Sequence, residues 1–287
     1  MPWQFEMVAG PFSFTEGPVW DGEAVLFTDI PNDRIMRYDP ATGACVEYRT
    51  GTEGTNGLTL DRQGRLYGCQ ARGRRVVRYE ADGSVTVLAD RYEGKRLNEP
   101  NDLIVDSRGR VWFTDPLYMR DRSTMELAHE AVYRLDPQPD GAYAITRVTF
   151  DTVRPNGLCL APDERTLYVA ESPRFPEARR QLRAYPVNDD GSLGQARVLY
   201  DFGDHRGIDG MRVDREGNIV ASCGWQRSGP GPRIAVFAPD GTVLEEHPTA
   251  ADPTNVVFGG PDLSDLYVTG FDGALWRAHT HRQGLAR

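Results

Sequence analysis

Asn101-Asp102-Leu103-Ile104-Val105-Asp106-Ser107-Arg108-Gly109-Arg110-Val111-Trp112-Phe113-Thr114 reads as a polar opener, an apolar run, a tight turn and a second β-rich run. The opening phrase recurs as Glu16-Gly17-Pro18-Val19-Trp20, Asn56-Gly57-Leu58-Thr59-Leu60, Asn156-Gly157-Leu158-Cys159-Leu160, Asp209-Gly210-Met211-Arg212-Val213 and Asn255-Val256-Val257-Phe258. Taken in chain order, the openers are separated by 40, 45, 55, 53 and 46 residues. A supersecondary unit repeated at this period cannot bury its apolar face alone, and six copies near it mark the blades of a β-propeller.

The interior of each copy supports four strands. Turns of the Asp61-Arg62-Gln63-Gly64 and Asp214-Arg215-Glu216-Gly217 kind follow the first strand, and runs such as Leu66-Tyr67-Gly68-Cys69 and Leu167-Tyr168-Val169-Ala170 make the second. The third strand reads Val76-Val77-Arg78-Tyr79 or Ile234-Ala235-Val236-Phe237. Asp82-Gly83, Asp140-Gly141, Asp190-Gly191 and Asp240-Gly241 then supply hairpin turns. The sixth copy runs out after Ala274-Leu275-Trp276-Arg277-Ala278, so Gln4-Phe5-Glu6-Met7-Val8 is expected to complete it and close the ring. The expected fold is all-β: a six-bladed β-propeller of four-stranded antiparallel blades, one domain over residues 1–287. Trp20, Tyr67, Trp112, Tyr168 and Tyr267 recur within strands and are expected to pack between blades.

In a propeller the innermost strands surround a central channel, so residues at one end of them converge on the axis. The openers are Glu16, Asn56, Asn101, Asn156, Asp209 and Asn255: two carboxylates and four amides. Each taken alone is an ordinary turn residue. Their common register points instead to a divalent metal ion held by oxygen donors, with Glu16, Asn156 and Asp209 the first candidates. Ca²⁺ suits such donors best; Mg²⁺, Mn²⁺ and Zn²⁺ remain open.

Bulk properties narrow the classes. The formal charge is −9, and 39% of residues are hydrophobic against 26% charged. This balance predicts a soluble protein without a basic surface for nucleic acid. No apolar run approaches the roughly 20 residues of a membrane span. Met1-Pro2-Trp3-Gln4-Phe5-Glu6 lacks the features of a signal peptide, so a cytoplasmic location is expected. Lys95 is the only lysine and thus the only candidate for Schiff-base chemistry. Cys45, Cys69, Cys159 and Cys223 have no metal-ligand spacing and read as free thiols, mostly buried.

Glu16-Gly17-Pro18-Val19-Trp20, Asn98-Glu99-Pro100-Asn101-Asp102, Trp112-Phe113-Thr114-Asp115-Pro116, Pro155-Asn156-Gly157 and Asp209-Gly210-Met211 together resemble the gluconolactonase/regucalcin (senescence marker protein) family over nearly the whole chain. The resemblance implies a six-bladed propeller with an axial divalent cation, often calcium, and hydrolysis of sugar lactones. It implies Glu16, Asn156 and Asp209 as metal ligands, Asn101 as a further ligand or substrate contact, and Asp209 as the base for the attacking water. Two departures stand out. Cys69-Gln70-Ala71-Arg72-Gly73 replaces a segment that often carries a histidine, and Arg206-Gly207-Ile208 precedes Asp209 where Leu-Pro is common.

Long connections between second and third strands at Pro116 to Glu130, Ser172 to Gln181 and Gly224 to Pro232 are expected on the same face. Tyr118, Arg120, Glu126, Arg174, Phe175, Trp225 and Gln226 are the candidates there for the substrate pocket wall, with Arg174 and Arg179 able to favour an anionic or hydroxyl-rich substrate. His205, four residues before Asp209, is either a proton shuttle or a turn residue. No nucleophile elbow or phosphate loop is present, which favours metal-assisted opening of a small lactone by water. The alternatives are a phosphotriester or fluorophosphate hydrolase, a non-catalytic calcium- or small-ligand-binding propeller, and an interaction scaffold. The chain is expected to be a monomer or weak homodimer.

Overall fold

In the computed structural model, which describes residues 1–118, 121–173 and 178–286, six four-stranded antiparallel sheets follow one another along the chain. Blade 1 comprises Thr15–Trp20, Val25–Asp29, Arg34–Tyr38 and Cys45–Thr50, and blade 2 Thr55–Leu60, Leu66–Gln70, Arg75–Tyr79 and Val85–Ala89. Blade 3 comprises Leu103–Val105, Val111–Asp115, Ala131–Pro137 and Tyr143–Arg147, and blade 4 Pro155–Leu160, Thr166–Glu171, Arg180–Pro186 and Arg197–Gly203. Blade 5 comprises Ile208–Val213, Ile219–Trp225, Ser228–Phe237 and Val243–Pro248. Blade 6 takes Pro253–Gly259, Asp265–Gly270 and Leu275–His279, and its outer strand is Glu6–Ala9 from the other end of the chain. Ring closure by the N-terminal segment thus occurs, one to two residues later than expected. No α-helix lies among the described residues, and no helix is long and apolar enough to cross a membrane.

The turn chemistry is local and repeated. The Oδ1 atoms of Asp61, Asp106 and Asp214 each accept two backbone N–H bonds across the first hairpin, those of Asp106 coming from Arg108 and Arg110 at 2.9 and 3.0 Å. Carboxylates that end the second strand tie down the segment entering their own blade. Asp29 accepts from the Ser13 N–H, Asp115 from the Asn98 N–H, and Glu171 from the N–H groups of Val153 and Arg154. Between blades the predicted aromatics form the core: Tyr67 packs with Phe113 and Tyr133, Trp112 with Leu158 and Leu167, and Tyr168 with Met211 and Phe237. Each such ring contributes roughly 4–6 kcal/mol of gross burial.

Two expectations need correction. Gly224 to Pro232 is not a loop, because Trp225 pairs with Ser228 and extends the hairpin of blade 5 outward. Cross-strand pairing lets the chain turn at once at Gln226-Arg227. The second correction concerns register. Asn255 pairs with Thr269 after the bulge of its inner strand, whereas Glu16 pairs with the equivalent Thr28 before the bulge of its own. Counted from the strand ends (Pro253↔Gly270 against Pro155↔Glu171), Thr254 occupies the position of Asn156 in blade 6, and Asn255 sits one residue further along. The rim is therefore fivefold in its carboxylate and amide openers, with Thr254 in the sixth place.

Candidate active site

The axis is built in two layers. The upper one holds Glu16, Asn56, Asn101, Asn156 and Asp209, each within two residues of the start of its inner strand. The next residue along is Gly17, Gly57, Gly157 or Gly210 in four blades, and Asp102 or Asn255 in the other two. Close approach explains the glycines: a Cβ on Gly57 would lie 2.6 Å from the Asn101 carbonyl oxygen, and one on Gly157 2.4 Å from that of Asp209. The Gly57 N–H donates to the Asn101 carbonyl at 2.8 Å, so neighbouring inner strands are bonded to one another here. Asp102 and Asn255 take the room the glycines leave and fill the channel beneath the upper layer.

Hydrogen bonds join the layers. Asn255 Nδ2 donates to Glu16 Oε2 at 3.0 Å and reaches Asp102 Oδ2 at 3.4 Å. Asp102 also faces Arg212 Nη1 at 3.5 Å. In the upper layer Asn156 Nδ2 donates to Asp209 Oδ1 at 2.7 Å, while Arg206 forms an ion pair with Asp209 Oδ2. Arg206 is itself fixed by the carbonyls of Gly224 and Pro253 and by the rings of Phe271 and Trp225.

Charge is not balanced in this site. Burial, then the charges of Asp209 and Asp102, push the Glu16 carboxyl well above the usual glutamate range, against the Gly17 N–H and the Asn255 amide. Burial likewise raises Asp102, opposed by Arg212. Asp209 and Asp102 each have an arginine; Glu16 has no cation within ion-pair distance among the described residues. A buried carboxylate beside two others, with amide oxygens at hand, is a set of hard oxygen donors short of positive charge. These donors are of the kind a hard divalent cation takes, although among the described residues no three His, Cys, Asp or Glu side chains are gathered closely enough to hold a metal.

Above Asn156 and Asp209 opens a cavity of about 310 Å³. Tyr118, from the connection of blade 3, and Trp225, from the blade 5 hairpin, both line it. The Tyr118 N–H is held by Glu99 Oε2 at 2.7 Å and the neighbouring Leu117 N–H by Glu130 Oε2 at 2.8 Å, so buried carboxylates position that wall. Other expected wall residues lie elsewhere. Glu126 accepts from the Arg96 N–H at 2.8 Å and faces Arg74, Gln226 bonds to Asp252 and the Ala250 carbonyl, and Arg179 faces Asp201; none of the three lines the cavity. His205 is exposed in a turn and does not line it either. Arg120, Arg174 and Phe175 lie outside the described residues. Asn101 is buried beside the axis and outside the cavity lining, while Asn56 is half-buried with its carbonyl accepting from Thr28.

Sequence reasoning passed over Arg206, Asp102, Arg180, Arg227 and Phe271. For Asp102 a signal existed: an acidic residue stands where four other copies carry glycine. Arg206 was visible only as a departure from Leu-Pro. Phe271 reaches the cavity from the turn after the second strand of blade 6, for which the repeat gives no cue.

A propeller with an axial oxygen-donor site beneath an open cavity defines the class. Residues 14–271 match the SMP-30/gluconolactonase/LRE-like region, and the chain belongs to that family. It is 34% identical to a pentonolactonase from Haloferax volcanii, over 90% of this chain and 82% of that one. It is 31% identical to a gluconolactonase from Zymomonas mobilis, over 83% and 70% of the two chains. The solved structure of a gluconolactonase from Xanthomonas campestris superposes with a TM-score of 0.83 at 34% identity, covering 96% of this chain and 89% of the other.

Proposed function

We propose that this protein is a divalent-metal-dependent lactonase that opens a sugar lactone by attack of water on the ring carbonyl. The observation that carries the reading is the uncompensated carboxylate Glu16 in an oxygen-donor layer with Asn156 and Asp209; these last two line a cavity of ligand size, and Glu16 lies buried outside its lining. The pentonolactonase and gluconolactonases among its relatives point the same way.

Glu16, Asn156 and Asp209 would hold the cation, with Asn101 beside them as a further ligand or substrate contact. When bound, a Ca²⁺ or similar ion supplies Lewis-acid polarisation of the carbonyl and stabilises the developing oxyanion. Because the Asn156 N–H₂ is engaged by Asp209, its carbonyl oxygen is the group left as a donor. Asp209 accepts the proton of the attacking water, with Asn156 and Arg206 holding its carboxylate in place. Water oxygen bonds to the carbonyl carbon, the ring C–O bond breaks, and the leaving oxygen takes a proton. The products are a hydroxy carboxylate and one proton. Tyr118, Trp225 and Phe271 enclose the substrate ring.

The test is a pH-indicator assay on a sugar-lactone panel, with paraoxon-like esters in parallel, after chelation and after return of single metals. Activity on lactones that disappears with chelator and returns with one cation is the expected result. Cation binding with no turnover of any lactone overturns the reading, and turnover of the phosphotriesters alone moves the protein to that class of hydrolase.

A further inference from the structure

The cavity holds more positive charge than the proposed chemistry uses. Three arginines line it: Arg206, Arg180 at the start of the third strand of blade 4, and Arg227 at the tip of the blade 5 hairpin. Arg206 is committed to Asp209 and two carbonyls. Arg180 makes one long hydrogen bond, from Nη1 to the Gly203 carbonyl at 3.4 Å, and Arg227 lies 5.8 Å from the centre of the Trp225 ring. Neither has a carboxylate within 4.0 Å among the described residues, although Asp204 also lines the cavity.

That arrangement runs against the rest of the molecule. The chain carries 42 acidic residues against 33 basic ones, so a partner for an arginine is easily found. Arg34, Arg65, Arg110, Arg134 and Arg282 each have one at 2.6–2.9 Å. On an acidic protein, two guanidinium groups without carboxylate partners among the described residues, in the wall of one cavity, form a local anion-binding surface. A guanidinium fork matches carboxylate, sulfonate and phosphate oxygens, and a flat aromatic ring beneath Arg227 limits its freedom. The reacting carbonyl belongs at the floor with Asn156 and Asp209, which leaves the wall for another part of the same molecule.

We propose that the substrate is a lactone carrying a second, anionic group away from its ring carbonyl, bound by Arg180 and Arg227. This rests on the lactonase reading and narrows its substrate class. The anionic group is a carboxylate, sulfonate or phosphate, and the assay separates them.

The experiment compares matched pairs with the metal-loaded protein: D-glucono-1,4-lactone against D-glucaric acid 1,4-lactone, and D-glucono-1,5-lactone against its 6-phosphate and 6-deoxy-6-sulfonate. The anionic member of at least one pair is expected to have a kcat/KM about tenfold higher, through KM, the weight of one charge-assisted hydrogen bond in water. Raising NaCl to about 0.5 M should shrink the difference by screening. Arg180→Gln and Arg227→Gln should each reduce the anionic-to-neutral ratio roughly five- to tenfold, and Arg227→Lys should reduce it less than Arg227→Gln. Circular dichroism checks that each variant is folded; Arg227, at an exposed hairpin tip, can be replaced without touching the core. Neutral lactones turned over as well as or better than every anionic partner, or a ratio indifferent to both variants, overturns this inference and leaves the lactonase reading standing. Failure to open any lactone overturns both.

Discussion

Gly210→Ala tests the two-layer axis directly, because it adds one methyl group to the most crowded point beneath the site. The new Cβ would fall 2.0 Å from Asn255 Cγ, 2.2 Å from its Oδ1 and 2.4 Å from its Nδ2. An ordinary contact needs about 3.4 Å or more, so the Asn255 amide must move by more than an ångström. A shift of that size breaks its 3.0 Å bond to Glu16 and the 2.9 Å bond that the Val256 N–H donates to its Oδ1. Losing a hydrogen bond to a buried carboxyl group costs about 1.5–3 kcal/mol, and overpacking about 1–3 more. A net loss of about 3–5 kcal/mol follows. At roughly 2 cal/mol/K per residue, Tm should fall by about 5–8 °C in calorimetry. If the cause is the clash with Asn255, the same alanine placed in an Asn255→Gly background should cost far less than in the native chain. A melting point within about 1 °C of the native protein, or the same cost in both backgrounds, refutes the layered packing described here.

Arg206→Gln is expected to tighten cation binding about tenfold in titration calorimetry while lowering kcat, because the guanidinium occupies one oxygen of Asp209 and also orients it; weaker binding in the variant would contradict that competition. Ring closure should respond to pH through His247, whose Nδ1 accepts the Trp3 N–H at 3.0 Å while its ring stacks on Trp3 at 3.7 Å and Nε2 faces Glu245 at 2.9 Å. Burial holds the His247 pKa below its ordinary value, against the pull of Glu245 and with His281 and Arg282 pushing the same way as burial. The unfolded chain then binds the proton more readily, so this contribution is complete above about pH 6.5 and is lost as pH falls through the lower folded value. About 1–2 kcal/mol should disappear as the Trp3 bond and stack are lost; Tm profiles of the native protein and His247→Gln that stay parallel from pH 7 to pH 5 would count against it.

Blade number and strand order were legible because they rest on a local phrase that recurs along the chain, and N-terminal closure because the sixth copy runs short of a strand. An Asp that accepts two N–H bonds makes the same turn wherever it stands, as Asp61, Asp106 and Asp214 do. Glu16, Asn156 and Asp209 were legible by the same logic, since a shared register forces them together. What the repeat could not convey is where it breaks. Asn255 looked like a sixth opener because its blade shares the Asn-apolar pattern, yet strand pairing puts it in the lower layer. Asp102 was hidden behind Asn101, its neighbour in sequence. The cavity wall was the least legible part, as Glu126, Gln226 and Arg179 are consumed by contacts that depend on loop paths rather than on period.

The site also depends on the seam of the ring. Glu16 comes from the first inner strand and Asn255 from the last, and the bond between them spans 239 residues of sequence. Thr254 crosses the same seam one residue earlier, donating to the Thr15 carbonyl at 2.7 Å. The inner end of the seam therefore carries the uncompensated carboxylate, and the outer end is held by Glu6–Ala9 pairing with the strand that contains Trp276. In its ionised form a buried Glu16 next to Asp209 and Asp102 would be repelled by both, so the charged form opposes closure at the axis until positive charge is supplied. Packing of Trp3 and of Ala9, the last residue of that strand, provides the opposing force from the rim. A cation that binds only the closed ring would then stabilise the whole seam by mass action, which links occupancy of the site to retention of the N-terminal strand far from it.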